Sequence, residues 1–499
     1  MSHITVDTHR GGTLRRGYLS LSELIAQSIG LVGAAGGAGL LVPAVFATAG
    51  NGTWLAYLFA TVGLLFASWS ITQFARRTAS PGALYTYAAR GIGPIWGVVA
   101  GWSLLIAYSI GAAGILQGTV NETVVLLKDV GVLGAKGAWL PVSVALTAII
   151  ALAAWFIAYR DIRLSTRTTL WIELTTVALI LLVIVVALFA KHRWADSSQL
   201  TLDGVKPDQL RLGMVLAFFS FTGFESVTAL GIEAKEPFRL IPRAVIVSIL
   251  GPAALFLVTS YGLVALFHGD ATPLDQVSAP LSSVAHGIGF GAVGILIDVG
   301  VALSFFAAFF SSINAAARLL YTFARQGLLH AATGRAHAGN ATPHVAVTLV
   351  ALFSLVTGLA FQFAGTSLFD SYGYLSTIAT FGFLLTYVVV AIAAPLFLRK
   401  RGELKPPHIA ITVIAVVLIG IPFVGSVYPA APGAYAILPY VFAALLLAGL
   451  GWFVALRVFA PHRLREIEAE LAGTEDDAPV SSQAGANSAM PAHCEHQGL

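Results

Sequence analysis

Gly33-Ala34-Ala35-Gly36-Gly37-Ala38-Gly39 and Phe218-Phe219-Ser220-Phe221-Thr222-Gly223-Phe224-Glu225 are glycine-marked weak points inside two long apolar runs. A bilayer core tolerates an unwound helix only where protein or a watery cavity covers the freed backbone. Composition makes these runs membrane spans. Hydrophobic residues are 57% of the 499 and charged residues 10%, against about 25% charged in soluble domains. A spanning helix needs ~20 mostly apolar residues. Segments near 22–49, 53–75, 94–127, 139–158, 168–190, 213–232, 244–267, 289–325, 344–364, 374–398, 408–428 and 434–458 qualify. The expected fold class is an all-α integral membrane protein with twelve transmembrane helices.

The net charge of +4 reflects topology, not affinity for nucleic acid. With both termini placed inside, the inner segments hold 22 of the 28 basic residues, and the outer loops hold Lys128, Lys136, Lys191, Arg193, Lys206 and Arg211. That bias is the one that orients spans in a cytoplasmic membrane. The first segment is too long for a secretory signal, and no small-residue cleavage site follows it. The only cysteine, Cys494, sits in a polar tail, so neither an intramolecular disulfide nor a thiol metal site can be built.

The expected organisation is a cytoplasmic lead-in over 1–20, a first half over 21–190 with five spans, and an extracellular loop over 191–212. A second half with five spans covers 213–400, two further spans cover 401–460, and a disordered cytoplasmic tail covers 461–499. An odd number of spans per half makes the second half enter from the opposite side, the condition for an inverted repeat. The two glycine-marked breaks then fall at matching places, in the first and sixth segments. Paired breaks of this kind point to the substrate site of a transporter.

Breaking a helix frees N–H groups at one half-helix end and C=O groups at the other. The donor end suits a carboxylate, and the acceptor end suits an ammonium group or Na⁺. Two such breaks side by side would recognise a zwitterion with few charged side chains. The 36–39 cluster would allow close approach of a ligand to the backbone, whereas helix packing explains Gly33 and Gly39 equally well. Phe218, Phe219, Phe221 and Phe224 flank the second break, and Phe219 is the expected gate.

Three carboxylates fall within apolar segments: Glu173, Glu225 and Asp298. Intramembrane acids are functional candidates by default. Glu225 directly follows the second break. It either takes up a proton and couples it to gating, or stays ionised and accepts loose backbone N–H groups. Glu173 is a second coupling candidate, and Asp298 is expected to be solvated near the outer end of its span. Ser311 and Ser312 could help coordinate Na⁺, although serines more often bond back to their own helix. The twelve histidines fall in loops, tails or helix ends, which excludes a histidine proton relay through the membrane. No P-loop lysine motif, H-E-x-x-H or G-x-S-x-G is present. Neither an enzymatic activity nor a cofactor is expected.

Four motifs in order resemble those of bacterial amino-acid permeases of the amino acid–polyamine–organocation (APC) superfamily. The first is Gly36-Gly37-Ala38-Gly39 with Pro43. The second runs from Pro81-Gly82 through Tyr85, Tyr87, Arg90, Gly93-Pro94 and Gly97 to Gly101-Trp102. The third runs from Phe221-Thr222-Gly223-Phe224-Glu225 to Glu233-Ala234-Lys235-Glu236-Pro237 and Ile241-Pro242-Arg243. The fourth is Asn314-Ala315-Ala316-Ala317-Arg318 with Tyr321, Ala324-Arg325 and Gly327. The likeness covers about residues 20 to 400.

The resemblance implies a LeuT-type five-plus-five inverted repeat with two extra helices. It places substrate at Gly33, Ala34, Gly36, Gly37, Ala38 and Gly39 and at Phe219, Ser220, Phe221, Thr222 and Gly223. It also implies an aromatic gate at Phe219 and proton-linked gating at Glu225. Departures are Ala38 for a usual Gly, Ala83 for Gly, Ile232 for Glu and Glu236 for Asn. Thr176 falls where some proton-coupled relatives carry a lysine, which excludes coupling by that amine.

The reading is a secondary active transporter that imports amino acids, with proton symport as the coupling. An amino-acid or amine exchanger and an importer of polyamines or other organic amines are the alternatives. A transporter-like ligand sensor is the alternative from another class, disfavoured by the short loops. The expected partners are a small-molecule substrate, a proton or sodium ion, and the lipid bilayer.

Overall fold

In a lipid core every backbone polar group must find a partner inside the protein, and a helix supplies one within its own segment, so Leu-, Val-, Ile- and Ala-rich runs of this length become helices. A computed structural model of the chain describes residues 17–79, 82–134, 139–160, 166–231, 233–337, 342–428 and 431–459. The expected disordered tail, Cys494, most of the lead-in, Pro81 and Ile232 lie outside the described residues.

The helices in chain order are α1 Leu21–Val32, α2 Ala34–Gly36, α3 Val42–Ala49, α4 Thr53–Ala75, α5 Ala83–Gly91, α6 Pro94–Asp129, α7 Trp139–Arg160, α8 Thr166–Ala190 and α9 Ser197–Leu200. They continue with α10 Pro207–Phe219, α11 Pro237–Phe267, α12 Pro280–Gly287, α13 Gly291–Arg325, α14 His344–Phe363, α15 Leu368–Lys400, α16 Pro406–Gly425 and α17 Leu438–Phe459. A π-helical turn, Gly37–Leu41, joins α2 to α3, and a 3₁₀ turn, Phe224–Leu230, follows α10. No β-strand occurs among the described residues, only an isolated bridge between Leu19 and Ala234.

Eleven helical stretches among the described residues are long and apolar enough to cross a membrane. The first, Leu21–Ala75, is 55 residues long and includes both of the expected segments 22–49 and 53–75. These meet at the short Gly50–Gly52 turn, where Gly50 has φ 53°. At 1.5 Å per residue, the 36 residues of α6 reach ~54 Å, well beyond a ~30 Å hydrocarbon layer.

Burial sorts the helices into an inner and an outer set. α6 and α15 are mostly buried, whereas α7, α8, α16 and α17 expose most of their length. The outer set presents large apolar side chains such as Trp171, Leu182, Phe189, Val417 and Val424, as lipid-facing surfaces do. Within the inner set, α6 and α15 approach closely because Gly382 sits against the Ser103 carbonyl and Ala107. Small residues at such contacts let membrane helices pack backbone to backbone.

Candidate functional site

The first break falls at Gly33. This residue ends α1 in the left-handed region, with φ 58° and ψ 53°, and its N–H bonds to Ile29 O at 2.9 Å. An added Cβ would be strained there and would come 3.0 Å from Ala308 Cβ. In an unbroken helix, the N–H groups of Ala34, Ala35 and Gly36 would bond to the carbonyls of Gly30, Leu31 and Val32. They turn elsewhere. Ala35 N–H donates to Glu173 Oε1 at 2.8 Å, and the Ala34 N–H lies near the same carboxylate. Gly36 N–H donates to Ser304 Oγ at 3.2 Å. The three carbonyls are thereby left without their helical partners.

This geometry corrects one expectation. The glycines at 36–39 do not form the unwound stretch; they lie in the resumed helix and its π turn. Gly36 abuts the Phe305 ring, Gly37 the Phe256 ring and Gly39 the Val301 side chain. Their small size is required by packing, and the unwinding falls on Gly33.

The second break is where the sequence indicated. α10 ends at Phe219, Thr222 N–H bonds back to Phe219 O at 2.9 Å, and Gly223 adopts φ 109°. A Cβ on Gly223 would lie 2.8 Å from Leu31 Cγ, so the two breaks are in direct contact. Ser28 Oγ donates to the Gly223 and Phe224 carbonyls at 3.3 and 3.1 Å, tying α1 to the second break.

Glu225 is fully buried beside this break. Its Oε1 accepts the Tyr108 hydroxyl at 2.7 Å. Its Oε2 accepts the Tyr387 hydroxyl at 2.7 Å and the Gly223 N–H at 3.0 Å.

Two small cavities adjoin at the breaks, about 10 and 20 Å³ in volume, room for about one water molecule each. Both are lined by Leu31, Ile115, Phe219 and Thr222. The first also meets Tyr108, Gly223, Ser312 and Phe383, and the second Gly33, Gly37, Phe305 and Tyr372. Phe219 and Phe305 each meet Tyr372 edge-on, with ring centroids 6.3 and 5.6 Å apart. Such contacts fit the quadrupoles of aromatic rings. At this volume side chains must move to admit a ligand the size of an amino acid.

The structure brings Gly33, Gly37, Phe219, Thr222, Gly223 and Ser312 to this space. It places others elsewhere. Ala34, Gly36, Ala38 and Gly39 are buried but do not line it. Ser220 faces away toward the Tyr57 hydroxyl at 3.1 Å. Phe221 packs on Tyr57 and Phe256. Ser312 lines the first cavity, and Ser311, the next residue of α13, lines neither. Asp298 is the clearest correction. It is 4% exposed, not solvated, because the stretch between the expected spans contains α12, whose Ser282 lies against it together with Asp129 of α6.

Sequence reasoning missed Tyr108, Tyr387, Ser28, Ser304, Phe305 and Tyr372. A lone hydroxyl in an apolar span was the available signal for the tyrosines and serines. It did not say which carboxylate each would meet. Among the described residues, no group of three or more His, Cys, Asp or Glu is placed to hold a metal ion.

A family model described as "Amino acid permease" matches residues 26–455. The chain is similar to the branched-chain amino acid permease BcaP of Bacillus subtilis (strain 168), 24% identical over 432 residues that cover 82% of this chain and 83% of the relative. It is 24% identical to the methylthioribose transporter of the same organism, over 72% of this chain and 76% of the relative. It is 22% identical to the low-affinity putrescine importer PlaP of Escherichia coli (strain K12), over 71% and 75%.

Proposed function

From the premise that the chain belongs to the amino acid permease family, whose members are multi-pass membrane transporters and not enzymes, we propose that it imports amino acids or closely related amines by secondary active transport. The observation that carries this reading is the contact of two helix breaks at two small adjoining cavities, with Gly33 and Gly223 beside Phe219 and Thr222. Breaks of this kind bind ligands without many charged side chains. The named cargoes of the relatives, branched-chain amino acids and putrescine, support the same class.

In this reading Leu21–Ala75 holds two spans, the total is twelve, and α1–α8 and α10–α15 form inverted five-span repeats over 21–190 and 213–400. The segment 191–212 is the extracellular loop, and 401–460 adds the last two spans. Both termini face the cytoplasm across the cytoplasmic membrane, in line with the bias of basic residues toward the inner loops. Phe219 closes the cavity and moves aside for substrate. A proton is the coupling ion. Glu225 and Glu173 are its carriers, since each joins a break to other helices through hydrogen bonds that protonation would rearrange. Sodium coupling would need Ser312 and the freed α1 carbonyls as ligands.

The test is uptake of labelled amino acids and amines by proteoliposomes under an inward proton gradient without Na⁺. Accumulation that collapses with the gradient is expected. Uptake only after preloading with substrate would make the protein an exchanger, and failure in both modes, with Na⁺ supplied, would reject amino-acid and amine transport.

A further inference from the structure

Each helix break offers an anion a donor end, and in this protein a glutamate already takes it. At the first break the Ala35 N–H donates to Glu173 and the Gly36 N–H to Ser304. At the second, the Gly223 N–H turns to Glu225. We propose that the transported ligand is an amine that carries no carboxylate, because Glu173 and Glu225 fill the anion places at both breaks. The inference rests on the transporter reading above and narrows its substrate class.

The cavity wall supports it group by group. Buried backbone groups must be paired, and here the donors are the paired ones. Gly33 N–H bonds to Ile29 O, Gly37 N–H to Gly33 O and Thr222 N–H to Phe219 O, all at 2.9 Å. The Thr222 hydroxyl donates to Phe219 O at 2.8 Å and the Tyr108 hydroxyl to Glu225 at 2.7 Å. Ser312 and Tyr372 are the hydroxyls left to meet a ligand. No Lys, Arg or His lines either cavity, and neither glutamate has a basic partner among the described residues.

Against this stand the carbonyls of Gly30, Leu31 and Val32, which the break deprives of their helical donors; Leu31 and Val32 line the cavity. The rings of Phe219, Phe305 and Tyr372 add negative faces, and aromatic walls of this kind favour ammonium groups. Beyond Phe305 and Tyr372, Glu122 of α6 and Asp298 of α13 are two further buried acids. An ammonium group therefore meets acceptors and rings. A carboxylate in the same space meets no basic group and two hydroxyls, and burying it so poorly paired is costly.

The experiment uses the full chain in proteoliposomes and in detergent, with three matched pairs: leucine and isopentylamine, phenylalanine and phenethylamine, ornithine and putrescine. Uptake and thermal stabilisation are read for each compound. At least one amine is expected to act at concentrations roughly tenfold or more below its amino-acid partner. An amino acid that matches or outdoes its amine in every active pair overturns the inference and leaves the transporter reading standing. Inactivity of all six compounds in both readouts overturns both. Glu173→Gln sharpens the test, because it removes the resident anion while its amide oxygen can still accept from Ala35. The preference is expected to shift toward the amino acid by roughly tenfold, and an unchanged ratio in folded variant protein counts against the proposal. The wild-type comparison stands by itself if the variant does not fold.

Discussion

The first and second helix breaks share a chemistry and differ in where it comes from. Each turns on a glycine with positive φ, 58° at Gly33 and 109° at Gly223, and each gives a freed N–H to a glutamate. At the second break the glutamate is two residues along the same segment, and Tyr108 of α6 and Tyr387 of α15 hold it. At the first it comes from α8, with Ser304 of α13 beside it. The helix resumes after Gly33, but after Gly223 it continues only as a 3₁₀ turn. The second break is thus shaped by its own sequence and braced from outside. The first is completed only by packing, so any shift of α8 relative to α1 must act on the Ala35–Glu173 bond.

The largest effect expected follows from the backbone. Gly223→Ala forces a side chain into φ 109° and within 2.8 Å of Leu31, whereas Gly33→Ala meets φ 58° and a contact at 3.0 Å. Strain of this kind costs about 1–3 kcal/mol per residue. Gly223→Ala should lie at or above the upper end and Gly33→Ala toward the lower, with uptake lost in the first and reduced in the second. Thermal unfolding of the purified variants measures the order. A costlier Gly33→Ala would show that the first break is the more constrained.

The glutamates come next. Glu225→Gln leaves one acceptor oxygen for three donors, so at least one buried group loses its partner at about 1–3 kcal/mol. Glu173→Gln can keep the Ala35 bond through its amide oxygen and should cost less than about 1 kcal/mol. The same unfolding assay compares them. Tyr108→Phe and Tyr387→Phe each remove one donor and should cost about 1 kcal/mol. A double-mutant cycle of either with Glu225→Gln should show coupling of about 0.5 kcal/mol or more. Additivity would mean the hydroxyls do not act through Glu225.

The contrast between the breaks also explains what could be read from sequence. Gly223 and Glu225 are neighbours in the chain, so the second break was legible at the right residues. At the first, a run of four glycines in seven residues marked the region but not the residue, because packing on Phe305, Phe256 and Val301 selects glycine as strongly as unwinding does. Glu173 was visible as a costly buried acid, yet its partner is 138 residues away. Asp298 was misjudged because the stretch between the expected spans contains α12, whose Ser282 lies against it. Spans such as α6 are apolar on every side, so periodicity could not say that Tyr108 and Ile115 face the cavity.

The smallest effect isolates Ser28, the side chain that ties α1 to the second break by hydrogen bonds among the described residues. Ser28 belongs to α1, a turn before Gly33, but its hydroxyl donates to carbonyls of Gly223 and Phe224 at 3.3 and 3.1 Å. Both bonds are long and share one hydrogen, so Ser28→Ala should cost only about 0.5 kcal/mol of stability. Its consequence for coupling is larger than its energy. Without it, α1 meets the second break through packing alone, with the Leu31 side chain and the Leu31–Val32 backbone against Gly223. A cycle combining Ser28→Ala with Gly33→Ala should therefore be non-additive in uptake, while Ser304→Ala, which acts on the first break alone, should add to Gly223→Ala within about 0.5 kcal/mol. Equal behaviour of the two serines would mean that the breaks communicate through the cavity wall, and Ser28 would be no more than a packing residue.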